Sequence, residues 1–113
     1  SYNHEYIYTM SEKESILLSD MSITGDVVEK EKLSVDSKIS GNIKADVIST
    51  FENSNITGDI EATNVKIGGK LLGNIKSDQT KILSTANVEG NLDQSTLSIE
   101  DGAFLKIKTQ TKK

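Results

Sequence analysis

The catalytic potential of this chain rests on one histidine and on carboxylates that lie close together. A serine nucleophile needs a neighbouring base, most often histidine, and His4 is the only histidine among the 113 residues. Asp59 and Glu61 could in principle act as an acid–base pair, but any solvated strand can present two carboxylates at this spacing. The sequence therefore contains no strong candidate for a catalytic site, and we expect that the protein is not an enzyme.

The chain also lacks the usual motifs that bind metals and phosphates. It has no cysteine, which excludes a thiolate metal site and a disulfide framework. Gly68 and Gly69 are followed neither by a phosphate-loop pattern nor by the rest of the Gly-Gly-x-Gly-x-Asp repeat that binds calcium, so they are typical of a turn. We predict no cofactor and no bound metal.

Composition narrows the class of protein and of partner. The chain has 13 basic and 17 acidic residues and a formal net charge of −4, which argues against nucleic acid as the main partner. No apolar run approaches the roughly 20 residues that span a bilayer, and no signal-peptide pattern is visible. Aromatic residues make up only 4% of the chain, which suits a narrow core better than a globular one.

A short motif repeats along nearly the whole chain. It reads apolar, polar, Gly, Asp or Asn, apolar, and its glycines are spaced by 16, 17, 15 and 17 residues. A sixth copy without the glycine is expected at residues 103–107. A fixed period indicates stacked repeats, and this one is too short for a helix pair or a propeller blade. It fits one turn of a β-solenoid, with neighbouring windings about 4.8 Å apart. The glycines are Gly25, Gly41, Gly58, Gly73 and Gly90.

Alternation within the motif predicts which residues face the core. The first, third and last positions point the same way in a strand, so we expect the glycine to face inward together with the two apolar positions. Nearly all of these apolar residues are Ile, Leu or Val, which suit a half-buried pleated surface. The predicted core columns are Ile23, Ile39, Ile56, Leu71, Val88 and Ala103, and Val27, Ile43, Ile60, Ile75, Leu92 and Ile107.

Charges alternate in the column that lies three residues after each glycine. From the second copy onward this column is expected to contain Lys44, Glu61, Lys76, Asp93 and Lys108. Opposite charges on neighbouring strands attract, and like charges repel. Each exposed pair contributes only about 0–1 kcal/mol, so we expect the ladder to act mainly by fixing the register of the windings.

We predict one all-β domain of about six windings over residues 15–108, with a tail at each end. Residues 1–14 contain Tyr2, Tyr6, Tyr8 and Met10 outside the repeat. They fit a flexible tail or cloning remnant, a segment that contacts a membrane or a partner, or an extra strand. Residues 109–113 are expected to form a solvated tail.

Both ends of the predicted coil are apolar. A solenoid end exposes unpaired backbone groups and an open core, and most soluble solenoids cover it with a polar cap. We see no amphipathic cap at either end, and end-to-end stacking would bury both. Leu105 is expected to replace the inward glycine, whereas Phe104 either packs across a subunit junction or folds over its own core. The predicted polymer interface consists of Ile16, Leu17, Leu18, Met21, Phe104, Leu105 and Ile107.

These motifs, together with the closing stretch from Leu97 to Phe104, give residues 16–107 a resemblance to the bactofilins, which are bacterial polymer-forming cytoskeletal proteins. The resemblance implies a right-handed, triangular β-helix that forms nucleotide-free filaments and acts in cell shape or in placing other proteins. It implies self-association, partners among cell-envelope or morphogenesis proteins, and a cytoplasmic location. Residues 1–14 are then the candidate contact with the inner face of the cell membrane, although many bactofilins carry a hydrophobic targeting stretch and proline-rich tails that this chain does not show.

Two alternatives belong to other classes of protein. Hexapeptide-repeat acyltransferases are also β-helices, but they use a catalytic histidine, and His4 lies outside the predicted coil. A monomeric or dimeric β-helical binding module, capped by its own tails, would recruit a partner without forming filaments.

Overall fold

Regular structure in the described part of the chain consists of short strands. The computed structural model describes residues 2–4, 8–10 and 14–112. Tyr6, one of the residues that suggested an extra strand, lies outside the described residues. The strands are β1 Tyr2–His4, β2 Tyr8–Met10, β3 Glu14–Leu17, β4 Met21–Thr24, β5 Val27–Glu29, β6 Lys32–Val35, β7 Lys38–Ser40, β8 Ile43–Lys44, β9 Val47–Thr50, β10 Asn55–Thr57, β11 Ile60–Glu61, β12 Asn64–Ile67, β13 Lys70–Leu72, β14 Ile75–Lys76, β15 Gln79–Ile82, β16 Asn87–Gln94, β17 Thr96–Ile99 and β18 Phe104–Thr111.

Each strand pairs in parallel with the strands one winding away, so the chain coils into a β-solenoid of about six windings. The first face contains β1, β4, β7, β10, β13 and the start of β16, and the second contains β2, β5, β8, β11, β14 and the end of β16. The third face contains β3, β6, β9, β12, β15 and β17. β18 lies on β16 along both the first and the second face. The predicted all-β solenoid is confirmed.

The core is a stack of aliphatic side chains in register. Ile56, for example, pairs with Ile39 on one side and Leu71 on the other. Burying one such side chain stabilises the fold by about 1.5–3 kcal/mol, and the third face adds further members of the stack, such as Leu33 and Ile48. Ten residues of the predicted columns are at most 2% exposed: Ile23, Val27, Ile39, Ile43, Ile56, Ile60, Leu71, Ile75, Val88 and Leu92.

The repeated glycines lie at the corner between the first and second faces, where the backbone bends. At Gly58 the φ angle is +148°, and a Cβ added there would lie 2.0 Å from the carbonyl oxygen of Gly41 in the preceding winding. The missing side chain would therefore point along the stack, towards the neighbouring backbone. The prediction that the glycines face the core is wrong, because the bend at the corner ends the strand alternation on which it was based.

The Asp or Asn that follows each glycine ties its corner to the next one. The side-chain oxygen of Asp26 accepts a hydrogen bond from the backbone N–H of Asn42 at 2.9 Å, and that of Asn42 accepts from Asp59 N–H at 3.0 Å. The same bond joins Asp59 to Asn74 at 3.0 Å and Asn74 to Asn91 at 3.1 Å. These residues replace the backbone hydrogen bonds that the bend removes from the ladder, which explains why the motif contains only Asp or Asn at this position.

Strand pairing extends beyond residues 15–108 in both directions. β1 pairs with β4 and β2 pairs with β5, so Tyr2–His4 and Tyr8–Met10 belong to a winding that precedes the first glycine motif. At the other end β18 continues to Thr111. Lys112 donates its backbone N–H to Gln94 at 2.9 Å, and its Nζ lies 3.1 Å from Asp78 Oδ1. Residues 109–112 are thus held against the coil.

The last winding has a different register from the one expected. Leu105 pairs with Val88, and Ile107 pairs with Gly90, so the repeat step is 17 residues and Ile107 occupies the glycine position. The corner between β17 and β18 has four residues, 100–103, like the corner at 83–86. A shift of two residues keeps the same side chains on the same face, so the apolar pattern of 103–107 fits both registers.

The charge ladder is shorter than predicted. Lys44 pairs with Glu61, with 3.5 Å between Nζ and Oε2, and Glu61 also lies in register with Lys76. Asp93 continues the column, but the residue above it is Gln110, and Lys108 lies above Asn91 instead. The strict alternation of sign therefore ends at Asp93.

Candidate functional site

The C-terminal end of the coil exposes the apolar core. Ile82 is fully buried, whereas Ile99, which lies directly above it in register, is 46% exposed because no winding of the described residues covers it. The outer edges of β17 and β18 face away from the sheet and carry backbone groups that no further strand of the described chain pairs. We call the inward residues of this last layer the C-terminal end face: Leu97, Ile99, Ala103, Leu105 and Ile107.

Phe104 stands at the rim of this end face. It pairs with Asn87, in the outward column of the first face that also contains Lys70, and it is 65% exposed. Because its side chain is on the outside of the coil, it does not cover the core beneath it. The structure therefore contradicts the expectation that Phe104 folds over its own core, because Phe104 alternates along β18 with the inward Leu105 and so lies on the outer side of the sheet.

The four apolar residues near the start of the coil do not form one surface. Leu17 is 3% exposed and belongs to the core, whereas Ile16 and Leu18 are 60% and 58% exposed on the outside. Met21 is partly buried, and its backbone pairs with Tyr2 of β1. β1, β2 and β3 are the edge strands of the N-terminal end.

The residues of the predicted polymer interface are thus divided between the two ends of the coil, and one of them, Leu17, lies in the core. Leu105 and Ile107 lie on the C-terminal end face and Phe104 lies at its rim. Ile16 and Leu18 lie on the outer surface at the opposite end. Leu97 and Ile99 also lie on this end face but were not predicted to belong to the interface. Their apolar alternation, one strand earlier in the same winding, was the signal that could have identified them.

Asp59 and Glu61, which were considered for acid–base chemistry, instead make contacts between neighbouring windings of the coil. Asp59 Oδ1 accepts the hydrogen bond of the Asn74 N–H at 3.0 Å, and Glu61 forms an ion pair with Lys44. Within the described residues, no group of three or more His, Cys, Asp or Glu side chains is arranged to hold a metal ion. Within the same residues, no helix is long and apolar enough to cross a membrane.

The fold and its end define a class of protein: a narrow parallel β-solenoid whose terminal winding leaves core residues open to solvent. A family model matches residues 15–110, nearly the whole chain, and its family is described as bactofilin, polymer-forming cytoskeletal. The chain therefore belongs to the bactofilin family, which is a structural and not an enzymatic family. Searches of curated proteins and of solved structures found no match.

Proposed function

We propose that the protein assembles end to end into filaments, without nucleotide or metal, and that the filaments act as a scaffold for cell shape or for the placement of other proteins. The observation that carries this proposal is the C-terminal end face, where Ile99 is 46% exposed directly above a fully buried Ile82. The family description as polymer-forming supports self-association.

The physical argument is that an end contact completes what the coil repeats internally. Each winding buries its inward aliphatic residues and pairs its backbone groups only where another winding lies on it. On the outer side of the last winding, the aliphatic residues are exposed and the backbone groups are unpaired. A second copy stacked there would bury Leu105 and Ile107 and would pair the outer edges of β17 and β18. The N-terminal end offers the edges of β1, β2 and β3 to the same kind of contact.

The rim residue Phe104 provides the first test. Phe104→Arg is expected to leave a folded protein that forms no filaments, because the change places a charge at a junction that excludes water. Leu72→Arg is the matched control, since Leu72 is also an outward apolar residue of the first face and is 45% exposed, but it lies in the middle of the coil. Negative-stain microscopy and circular dichroism of both variants distinguish loss of assembly from loss of fold.

Ile99→Lys provides an independent second test on the end face itself. Ile99 is half exposed in the isolated molecule, so a lysine can reach solvent there and the fold is expected to survive. If Phe104→Arg and Ile99→Lys both still form filaments like those of the Leu72→Arg control, the end contact is refuted. A monomeric or dimeric wild-type protein would favour a β-helical binding module that recruits a partner without filaments.

We place the filaments in the cytoplasm, with residues 1–14 as the candidate contact with the inner face of the cell membrane. Self-association is the primary interaction, and proteins of the cell envelope or of morphogenesis are the candidate recruited partners. Family membership supports a cytoskeletal role. Co-sedimentation of the full chain with and without lipid vesicles tests the membrane contact, because filaments alone give the amount that sediments without lipid.

A further inference from the structure

A cleft opens at the corner between the third and first faces, where a short corner lies between two longer ones. The corner at residues 68–69 has two residues, whereas the corners at 51–54 and 83–86, in the windings on either side of it, have four each. Since neighbouring windings are about 4.8 Å apart, the longer corners project directly beside the short one. The space between them has a volume of about 360 Å³, and we call it the corner cleft.

The walls of the corner cleft are apolar, and the backbone of Gly68 lies at its floor. Phe51, on one wall, is 50% exposed, and Leu83 lines the opposite wall. An atom placed at the missing Cβ of Gly68 would lie 3.5 Å from Phe51 Cα and 3.4 Å from Leu83 Cδ1. These distances are close to van der Waals contact on both sides, so the floor of the cleft has room for one layer of atoms.

The floor also offers a hydrogen-bond acceptor. At the neighbouring corner the N–H of Leu83 donates to the carbonyl oxygen of Ile67 at 2.8 Å, but the N–H of Gly68 donates to the Thr50 hydroxyl at 3.1 Å instead of the Thr50 carbonyl oxygen. The missing Cβ position of Gly68 lies 2.7 Å from this carbonyl oxygen. That separation is too short for a carbon atom but is a hydrogen-bond distance for an N–H donor. A ligand that reaches the floor should therefore carry such a donor.

The rim of the corner cleft is negatively charged, because its charged lining residues are Asp36 and Glu52. Asp36 accepts hydrogen bonds from the backbone and the side chain of Asn53 at 3.0 and 3.2 Å, which hold its carboxylate in place. Glu52 is exposed and makes no ion pair with a described residue. The rim therefore favours a cation.

We propose that the corner cleft binds an arginine side chain from a peptide segment of a partner protein. The guanidinium group is flat and carries several N–H donors, so it suits a floor that is one layer deep and offers the Thr50 carbonyl oxygen. Its positive charge suits the ring of Phe51 and the rim carboxylates. Lysine carries the same charge but lacks the flat shape.

A second copy of this chain cannot supply the guanidinium group, because all 13 of its basic residues are lysines. The occupant therefore belongs to another protein. This inference rests on the proposed function, since a filament would present the cleft once in every copy and so place partner molecules along its length. A partner with several arginine-bearing segments would then bind more tightly than a single segment does.

Saturation-transfer NMR tests the cleft, because it detects weak binding of a small probe to a protein. The probe is arginine with an acetyl cap and an N-methylamide cap, which reproduce the neighbouring peptide groups. The comparison probes are capped citrulline, which keeps the shape of arginine without its charge, capped lysine, and free arginine. Electron microscopy of the same samples records whether filaments are present.

Two variants change the cleft, and each has a matched control. Phe51→Ser removes the aromatic wall, and its control is Leu72→Ser, since Leu72 is 45% exposed but lies outside the cleft on the first face. Glu52→Lys reverses a charge of the rim, and its control is Glu31→Lys, since Glu31 is exposed at the corner between the second and third faces. All four of these side chains are exposed, so the fold is expected to survive, which circular dichroism checks.

We expect capped arginine to give the strongest signal, mainly on the CH₂ protons next to its guanidinium group. The citrulline signal should be at least about fivefold weaker because the charge is absent, and the lysine signal should be weaker because the flat set of donors is absent. Free arginine should also give a weaker signal, since its carboxylate is repelled by the rim. Each cleft variant should lower the arginine signal at least about fivefold, whereas the controls stay within about twofold of wild type.

The inference is overturned if citrulline or lysine matches arginine, or if both cleft variants bind arginine as wild type does. A free-arginine signal equal to that of the capped probe would assign the cleft to a small molecule and would also overturn the partner peptide. Failure of the proposed function gives a different result, because microscopy would then show no filaments while the probes still bind in the expected order.

Discussion

At the scale of single residues, the corner between the first and second faces explains the motif by which the chain repeats. The glycine is required because a Cβ would meet the carbonyl oxygen of the preceding winding, at 2.0 Å in the case of Gly58 and Gly41. The residue after it is Asp or Asn because its side chain accepts the backbone N–H of the next corner. Both requirements come from the backbone and not from the hydrophobic core.

Substitution of Gly58 by alanine tests the steric requirement. We expect Gly58→Ala to lower the free energy of unfolding by about 1–3 kcal/mol or more, because the new methyl group meets backbone and the φ of +148° is unfavourable for alanine. Thr57→Ala is the control, since Thr57 is exposed and its loss should cost no more than about 0.5 kcal/mol. Equal urea midpoints for the two variants would show that the corner can accommodate a side chain.

Substitution of Asp59 tests the hydrogen-bond ladder. Asp59→Ala removes the acceptor of the Asn74 N–H, and we expect it to destabilise the fold by about 0.5–1.5 kcal/mol. Asp59→Asn keeps an acceptor oxygen, as Asn42 does in the same column, and should stay close to wild type. If Asn destabilises as much as Ala in thermal unfolding, the negative charge of Asp59 and not its hydrogen bond would be responsible.

The inward-facing residues could be predicted from the sequence, but the physical reasons for the glycine and for the Asp or Asn of the motif could not. The alternation around Ile56 and Ile60 was enough to predict inward side chains. The period of two is a local property of a strand, and the alternation of apolar and polar residues shows it directly. The role of Gly58 was assigned to the core because the sequence does not show where the strand bends. The partner of the Asp59 side chain is the backbone N–H of Asn74 in the next winding, and no pattern of residue types reveals a backbone donor.

At the scale of the strands, register depends on the length of each corner. The strand period fixes which residues face inward but leaves shifts of two residues open. The chain could be aligned through Leu92 because each copy carries a glycine. Beyond that point Ile107 takes the position of the glycine. Because the corner at 100–103 has four residues, the observed register of the last winding differs by two residues from the expected one. The ion pair of Lys106 with Glu89 at 3.7 Å agrees with the observed register.

Reversal of Glu61 tests how charge contributes to register. Glu61→Lys places three lysines in one column, because Glu61 lies between Lys44 and Lys76. We expect a loss of about 1 kcal/mol or less, reduced by salt, since all three side chains are on the outside. Glu61→Gln, which removes the charge without reversing it, should lose less. A loss of several kcal/mol that salt does not change would mean that Glu61 has a role beyond this ladder.

At the scale of the whole molecule, the two ends of the coil differ from its middle. The windings between them bury their inward aliphatic residues on both sides, whereas the last layer leaves Ile99 half exposed. The sequence predicted an apolar C-terminal end but assigned Phe104 to the wrong column, because the end of a coil lies where the repeat is least regular. The extra strand that residues 1–14 allowed is present as Tyr2–His4 and Tyr8–Met10, but the sequence alone could not decide between this strand and a tail, since these strands lack the glycine motif.

Stacking of copies along the coil axis can be observed by electron cryomicroscopy of the purified protein without nucleotide or metal. Because the strands run across the axis, we expect slender filaments whose diffraction has a meridional reflection at about 4.8 Å. The single filament should be about as wide as the two shorter dimensions of the molecule, 26 and 19 Å. Particles that stay monomeric, or filaments whose strands run along the axis, would contradict it.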